Sequence, residues 1–190
     1  YYTKNADPVH KITIVPRGRA LGLTAQIPEV ERYNYSVDYL RGRLDILMGG
    51  RCAEKIIFDN MTTGAGNDIS VATDLSRKMV CEWGMSDKIG PMKLGNKEEE
   101  VFLGKEMNKT RDISEMKSVI IDEEITLLVK NAEQNALNIL NENINNLHDV
   151  SLVLLDKETI GRSEFEDIMV NGIPEKMEPK EQKRSRRKNT

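Results

Sequence analysis

The sequence predicts a mainly α-helical domain with a short β-strand pair or hairpin near its N-terminus. Three observations carry that expectation. From residue 36 onward apolar side chains recur at three- and four-residue steps, the spacing of one helix face. Residues 9–15 instead alternate, and Pro16 and Pro28 close two extended stretches. Aromatic residues make up only 5% of the chain and charged residues 31%, so aliphatic and methionine-lined helices must supply the core.

The first strand sets Val9, Lys11, Thr13 and Val15 against His10, Ile12 and Ile14, with Ile12 and Ile14 on one face. Pro16 and the Arg17-Gly18 turn end it, and Ala20 to Ile27 forms a second strand. Ser36 is the N-cap of a helix that carries Tyr39, Leu40, Leu44, Leu47 and Met48 and runs on through Ala53, Ile56 and Ile57. Gly49-Gly50 weakens that helix by about 0.5–1 kcal/mol each, and the missing side chains are expected to admit close backbone packing. The next helix follows the loop Thr62-Thr63-Gly64-Ala65-Gly66-Asn67-Asp68, with Ile69, Ala72, Leu75, Met79 and Trp83 recurring at three- and four-residue steps along one face. Gly84 ends it.

Residues 86–104 read as a loop, with Glu98-Glu99-Glu100 a solvated patch. Ser114 caps a long amphipathic helix whose stripe is Ile121, Ile125, Leu128, Ala132, Ala136, Ile139, Leu140, Ile144 and Leu147. A shorter helix around Val150 to Leu155 follows. Ser163-Glu164-Phe165-Glu166 reads as a capping box for the last helix, with Phe165, Ile168 and Met169 inward and Gly172 and Pro174 as its stop. Residues 1–172 thus form one expected domain. Residues 173–190, almost without apolar side chains, form a disordered basic tail.

Composition excludes several function classes. A net charge of -3 gives no global field that recommends nucleic acid. Cys52 and Cys81 are the only cysteines, lie in helical patterns, and read as small buried apolar residues of a reducing compartment. No apolar run is long enough to span a bilayer and no signal peptide is present. The chain begins with Tyr, so it is expected to be part of a longer product. Lys183-Arg184-Ser185-Arg186-Arg187-Lys188 is a solubilising end or an attractor of anionic lipid or nucleic acid. No aromatic residues interleave to stack bases, so specific nucleic-acid binding is not expected.

Asp68 stands at the cap or first turn of its helix, where a carboxylate meets unpaired backbone donors. From spacing alone it is either a cap or a metal ligand. Zinc hydrolysis needs three protein ligands, an open coordination position and a general base. The H-E-x-x-H motif that supplies two of those ligands and the base is absent. His10, beside the first strand, reads as structural or surface, and His148 as a structural residue at the end of the long helix. No Gly-x-x-x-x-Gly-Lys-[Ser/Thr] phosphate loop occurs either.

Seven segments nonetheless fall in a specific order. They are Asp7-Pro8-Val9-His10-Lys11, Val15-Pro16-Arg17-Gly18-Arg19-Ala20-Leu21-Gly22, Gly49-Gly50-Arg51-Cys52-Ala53-Glu54, Thr62 to Asp68, Glu82-Trp83-Gly84-Met85-Ser86, Leu94-Gly95 and Val101-Phe102-Leu103-Gly104. Together they resemble the peptidase domain of the FtsH family, the membrane-anchored ATP-dependent zinc proteases, from about Asn5 to about Met169. The resemblance implies that Asp68 is the third zinc ligand and that the H-E-x-x-H helix, with its general-base glutamate, lies immediately upstream of Tyr1. Glu54 then orients a ligand histidine, and Asn67 supports the site from beside it. An edge strand at Gly22, Leu23 and Thr24 would pair with extended substrate.

By the same resemblance, ATP and Mg bind a domain absent from this chain. The peptidase domains form a homo-hexamer, and the parent is held by upstream segments at the cytoplasmic face of a bacterial inner membrane or organelle equivalent. Its substrates are unfolded, misassembled or short-lived membrane and cytosolic proteins. Two alternatives are a noncatalytic assembly module of such a complex and a basic-tailed binding protein. The isolated chain is expected to be inactive, because one carboxylate does not hold zinc as three ligands do.

Overall fold

The computed structural model describes residues 1–16, 18, 22–28, 31–94 and 113–173. In chain order its elements are β1 (Val9–Thr13), β2 (Leu23–Gln26), α1 (Val37–Phe58), a 3-10 turn (Thr63–Ala65), α2 (Gly66–Cys81), α3 (Glu115–Glu142), α4 (Ile144–Lys157), β3 (Thr159–Gly161) and α5 (Arg162–Asn171). The mainly helical class with a strand pair near the N-terminus is what forms. Two units result, Tyr1–Ala6 with Arg32–Glu142, and Asp7–Glu31 with Asn143–Thr190. The expected Arg17, Ala20 and Leu21, the Glu98-Glu99-Glu100 patch, Pro174 and the basic tail lie outside the described residues.

The first unit is three helices. Ser36 caps α1 as expected, its hydroxyl accepting from the Tyr39 amide at 3.2 Å. Leu40, Leu44, Met48 and Cys52 then recur at four-residue steps and are buried with Ala72 and Met79 of α2 and Ala132 and Ala136 of α3. The alanines are small enough to let the helices approach, and complete burial of a side chain such as Leu44 stabilises by about 1.5–3 kcal/mol. Cys81 packs in a second cluster with Val80, Ile121 and Ile125. Both cysteines are free and buried.

Several expectations for the helices are corrected. Ile69 and Trp83 are 37% and 45% exposed, and α2 faces inward through Ala72, Ser76, Met79 and Val80. The helix stops at Cys81, so Trp83 lies past the end of the helical period. Gly49 and Gly50 meet no close neighbour; the close approach is at Gly42, where a Cβ would stand 3.0 Å from Thr3 Cγ2 and 3.1 Å from the Lys4 carbonyl oxygen. The long helix ends at Glu142, so Ile144 and Leu147 belong to α4, which starts earlier than Val150. Hydrophobic spacing runs unbroken across Asn143, whose backbone (φ -121°, ψ 33°) leaves the helix. His148 consequently sits inside α4, exposed, instead of at a helix end.

Ser114 caps α3, its hydroxyl accepting from the Lys117 amide at 3.3 Å. After α2 the chain turns through Ser86, whose hydroxyl donates to Glu124 Oε2 at 2.8 Å while accepting from the Ile89 amide at 3.3 Å. Lys88 Nζ lies 2.9 Å from Glu124 Oε1, and the carboxylate is 13% exposed. The Lys88 hydrogen bond holds its pKa below the ordinary range against the opposing cost of burial, helped by Ser86.

The second unit is an antiparallel sheet of order β2-β1-β3 with α4 and α5. Thr13 pairs with Leu23 and Val9 with Gln26, but a bulge interrupts the register between Val9 and Lys11. That extra residue changes the side-chain parity, so Val9 and Ile12, three apart, both pack against Val153, Leu154, Ile160, Phe165 and Ile168. Ile14 is 38% exposed beyond the end of β1, against the expectation that it shares a face with Ile12. Gly22 enters β2 where a Cβ would meet the Thr13 carbonyl oxygen at 2.7 Å, a contact only glycine accepts.

β3 was not expected. It is only three residues long, beside β1, and is held by the Thr13 hydroxyl, 2.8 Å from Thr159 Oγ1. Because β3 leads straight into α5, Gly161 is the N-cap and makes no side-chain cap bond. The Ser163 capping box therefore does not form, and Glu166 pairs instead with Arg162 at 2.7 Å. Phe165 and Ile168 are buried as expected, and Gly172 (φ +73°) ends α5. Among the described residues no helix is long and apolar enough to cross a membrane.

Ser76 is fully buried in α2 and its hydroxyl has no hydrogen-bond partner among the described residues. Replacing it with Ala removes a polar group at no cost in bonds, so Ser76→Ala should stabilise the chain by about 1 kcal/mol. A thermal melt with an unchanged or lower midpoint would contradict that account.

Candidate metal site

The loop between α1 and α2 is built by one carboxylate. Glu54, half-buried near the end of α1, accepts the Thr62 amide at 2.8 Å on Oε2 and the Thr62 hydroxyl at 2.9 Å on Oε1. The same hydroxyl accepts the Gly64 amide at 3.2 Å and so caps the 3-10 turn Thr63–Ala65. The Gly66 amide closes that turn on the Thr63 carbonyl, and α2 begins there.

Asp68 is the third residue of α2, half-buried, in the first turn. It makes no cap hydrogen bond: the N-cap position is Ala65, and among the described residues the Asp68 side chain has no hydrogen-bond or ion-pair partner. The cap reading thus fails on geometry, while the dipole still favours negative charge there. A carboxylate without a protein partner, on a buttressed helix start, is a donor of the kind zinc accepts. It is a single donor, because among the described residues no three His, Cys, Asp or Glu side chains gather as a ligand set.

Asn67 lies exposed next to it, at the second position of α2. The structure therefore brings Glu54, Asn67 and Asp68 to one loop and one helix start. Gly22, Leu23 and Thr24 lie in the other unit, at the exposed edge strand β2. His10 is exposed on β1. The residue that the sequence reasoning passed over is Thr62. Its signal was present, since a Thr ahead of a Gly-containing turn is a cap pattern, but the partner Glu54 lies eight residues back across a helix end.

The model of Peptidase family M41 matches residues 1–168. The chain is 49% identical over 166 residues to an ATP-dependent zinc metalloprotease FtsH of Acidobacterium capsulatum, covering 87% of this chain and 26% of that protein. It is 48% identical over 164 residues to the protein of the same name from Magnetococcus marinus, covering 86% and 24%. Against that of Caulobacter vibrioides it is 47% identical over 178 residues, covering 93% and 28%. The chain spans about a quarter of the length of the curated relatives it matches.

A carboxylate with no protein partner contributes little to folding. Asp68→Ala in this chain should change stability by less than about 1 kcal/mol, the size of its dipole interaction. A denaturant midpoint shift several times larger would show that Asp68 is structural.

Proposed function

The chain belongs to Peptidase family M41, and from that premise we propose that it forms part of the peptidase portion of an ATP-dependent zinc metalloendopeptidase. The observation that carries the proposal is the Asp68 carboxylate, half-buried and without a protein partner among the described residues. Asp68 is one zinc ligand. The other two are histidines supplied by residues outside this chain, which contains no H-E-x-x-H. A zinc ion held there supplies polarisation of a peptide carbonyl and activation of water for attack on it.

This chain's own residues act by placing and holding. α2 presents the carboxylate with its charge supported by the helix start, and Asn67 flanks it. Glu54 braces the loop, and its remaining acceptor capacity suits it to orient a ligand histidine, since a carboxylate offers about four lone-pair sites. ATP and magnesium belong to another domain of the parent protein. Its substrates are protein chains, its assembly a homo-hexamer, and its place the cytoplasmic face of a membrane. Family resemblance supports these assignments.

The strand β2 offers a second element. As the edge of the sheet among the described residues, with Leu23 54% exposed, it offers at Gly22, Leu23 and Thr24 a backbone side that suits pairing with an extended substrate. Such pairing reads backbone rather than side chains and gives broad specificity.

Two measurements test these proposals. In the full-length protein, Asp68→Ala should remove bound zinc and proteolysis together while ATP hydrolysis persists. A wild-type protein that holds no zinc and cleaves nothing would favour the noncatalytic module instead. For the strand, a peptide substrate N-methylated at one backbone amide at a time should lose cleavage at alternate positions. A uniform response along the peptide would count against β2 pairing.

A further inference from the structure

We propose that Thr62 is a positioning residue for the metal ligand: clamped by Glu54, it holds wound the first turn of α2, which presents Asp68 to a divalent cation. The inference rests on Asp68 being a ligand, and goes beyond it by saying what aims that ligand.

The hydroxyl of Thr62 is used twice. It donates to Glu54 Oε1 at 2.9 Å and accepts from the Gly64 amide at 3.2 Å, while the Thr62 amide donates to Glu54 Oε2 at 2.8 Å. The carboxylate thereby fixes both the backbone and the side chain of one residue. That residue in turn fixes the amide that opens the 3-10 turn leading into α2. An ordinary N-cap has only the last of these bonds.

The clamp lies at the surface, with the turn folded directly against it. A Cβ on Gly64 would lie 3.2 Å from Thr62 Oγ1 and 3.6 Å from Glu54 Oε1, so the glycine lets the turn fold against the pair. Beyond its first turn α2 is locked by Ala72 and Met79, both fully buried. An α-helix turns by about 100° per residue. Asp68 therefore keeps its direction relative to the buried Ala72 only while the first turn of α2 stays wound; unwinding that turn would free the carboxylate from a ligand position fixed elsewhere. The core alone sets the rotation of the middle of α2. The clamp holds the first turn wound, and Asp68 is in that turn.

A hydroxyl that only capped a turn would affect stability but not metal affinity once the protein is folded. The experiment separates the two roles in the full-length protein, with Thr62→Val, Thr62→Ser and Asp68→Ala. Zinc retention is titrated against a graded chelator, and the melting midpoint of the zinc-free protein is measured alongside. Thr62→Val should weaken zinc by about tenfold or more, the usual effect of removing a group that orients a ligand. Thr62→Ser, which keeps the hydroxyl, should restore affinity to within about twofold of wild type.

If Thr62→Val folds and holds zinc like wild type while Asp68→Ala loses it, the clamp proposal is wrong and the ligand assignment stands. If Asp68→Ala itself retains zinc, the ligand assignment is wrong. Should Thr62→Val not fold, Thr62→Ser decides. Serine keeps both hydrogen bonds of the hydroxyl, so a tenfold loss of zinc in that folded variant would also overturn the proposal.

Discussion

One stripe on α1 governs the helical unit. Leu40, Leu44, Met48 and Cys52 are buried at successive turns because Ala72, Ala132 and Ala136 present almost no side chain to them. Helices that meet through alanine pack closely and tolerate little rotation. Cys52 ends that stripe, and Glu54 follows two residues later on the adjoining face. The buried apolar contact thus fixes a carboxylate, the carboxylate fixes Thr62, and Thr62 fixes the start of α2. A polar site at the surface takes its geometry from an apolar seam beneath it.

The parts legible in the sequence were those governed by local rules. Ser36 and Ser114 cap their helices because a hydroxyl three residues ahead of an amide is a local arrangement. Cys52 and Cys81 are buried because small apolar residues in helical phase have no better place. What the sequence hid depends on chain that is far away. β3 gives no signal of its own, because three residues are too few for alternation. The bulge between Val9 and Lys11 puts Val9 and Ile12 on one face although they are three apart, and Ile14 is exposed because β1 stops at Thr13. The break at Asn143 is invisible to a periodicity that continues on both sides of it.

The candidate site divides along the same line. Asp68 was singled out by its motif, and the structure adds that its carboxylate is not used as a cap. Glu54 was expected to act on a histidine; its nearest duty is to Thr62, a contact eight residues apart across the end of a helix. No rule of spacing could give that pair, since a capping residue normally finds its partner within three positions. In the proposed metal site this chain supplies a single donor among its described residues, at a helix start braced by Glu54 and Thr62.

The sheet has a consequence for how the molecule is made. β1 is flanked on one side by β2, which follows closely, and on the other by β3, with Thr13 bonded to Glu158 across 145 residues. A two-stranded hairpin is marginal in water, and Val9 and Ile12 find their apolar neighbours only in α4, β3 and α5. On a growing chain the first strands emerge early and wait. Residues 32–142, which carry α1, α2 and α3, are translated before the partners of those strands exist. Closing so long a loop is slow, and the helices, whose contacts are nearer in sequence, have time to set first. The strand pair that opens the sequence is, in the order of folding, among the last parts to acquire a core.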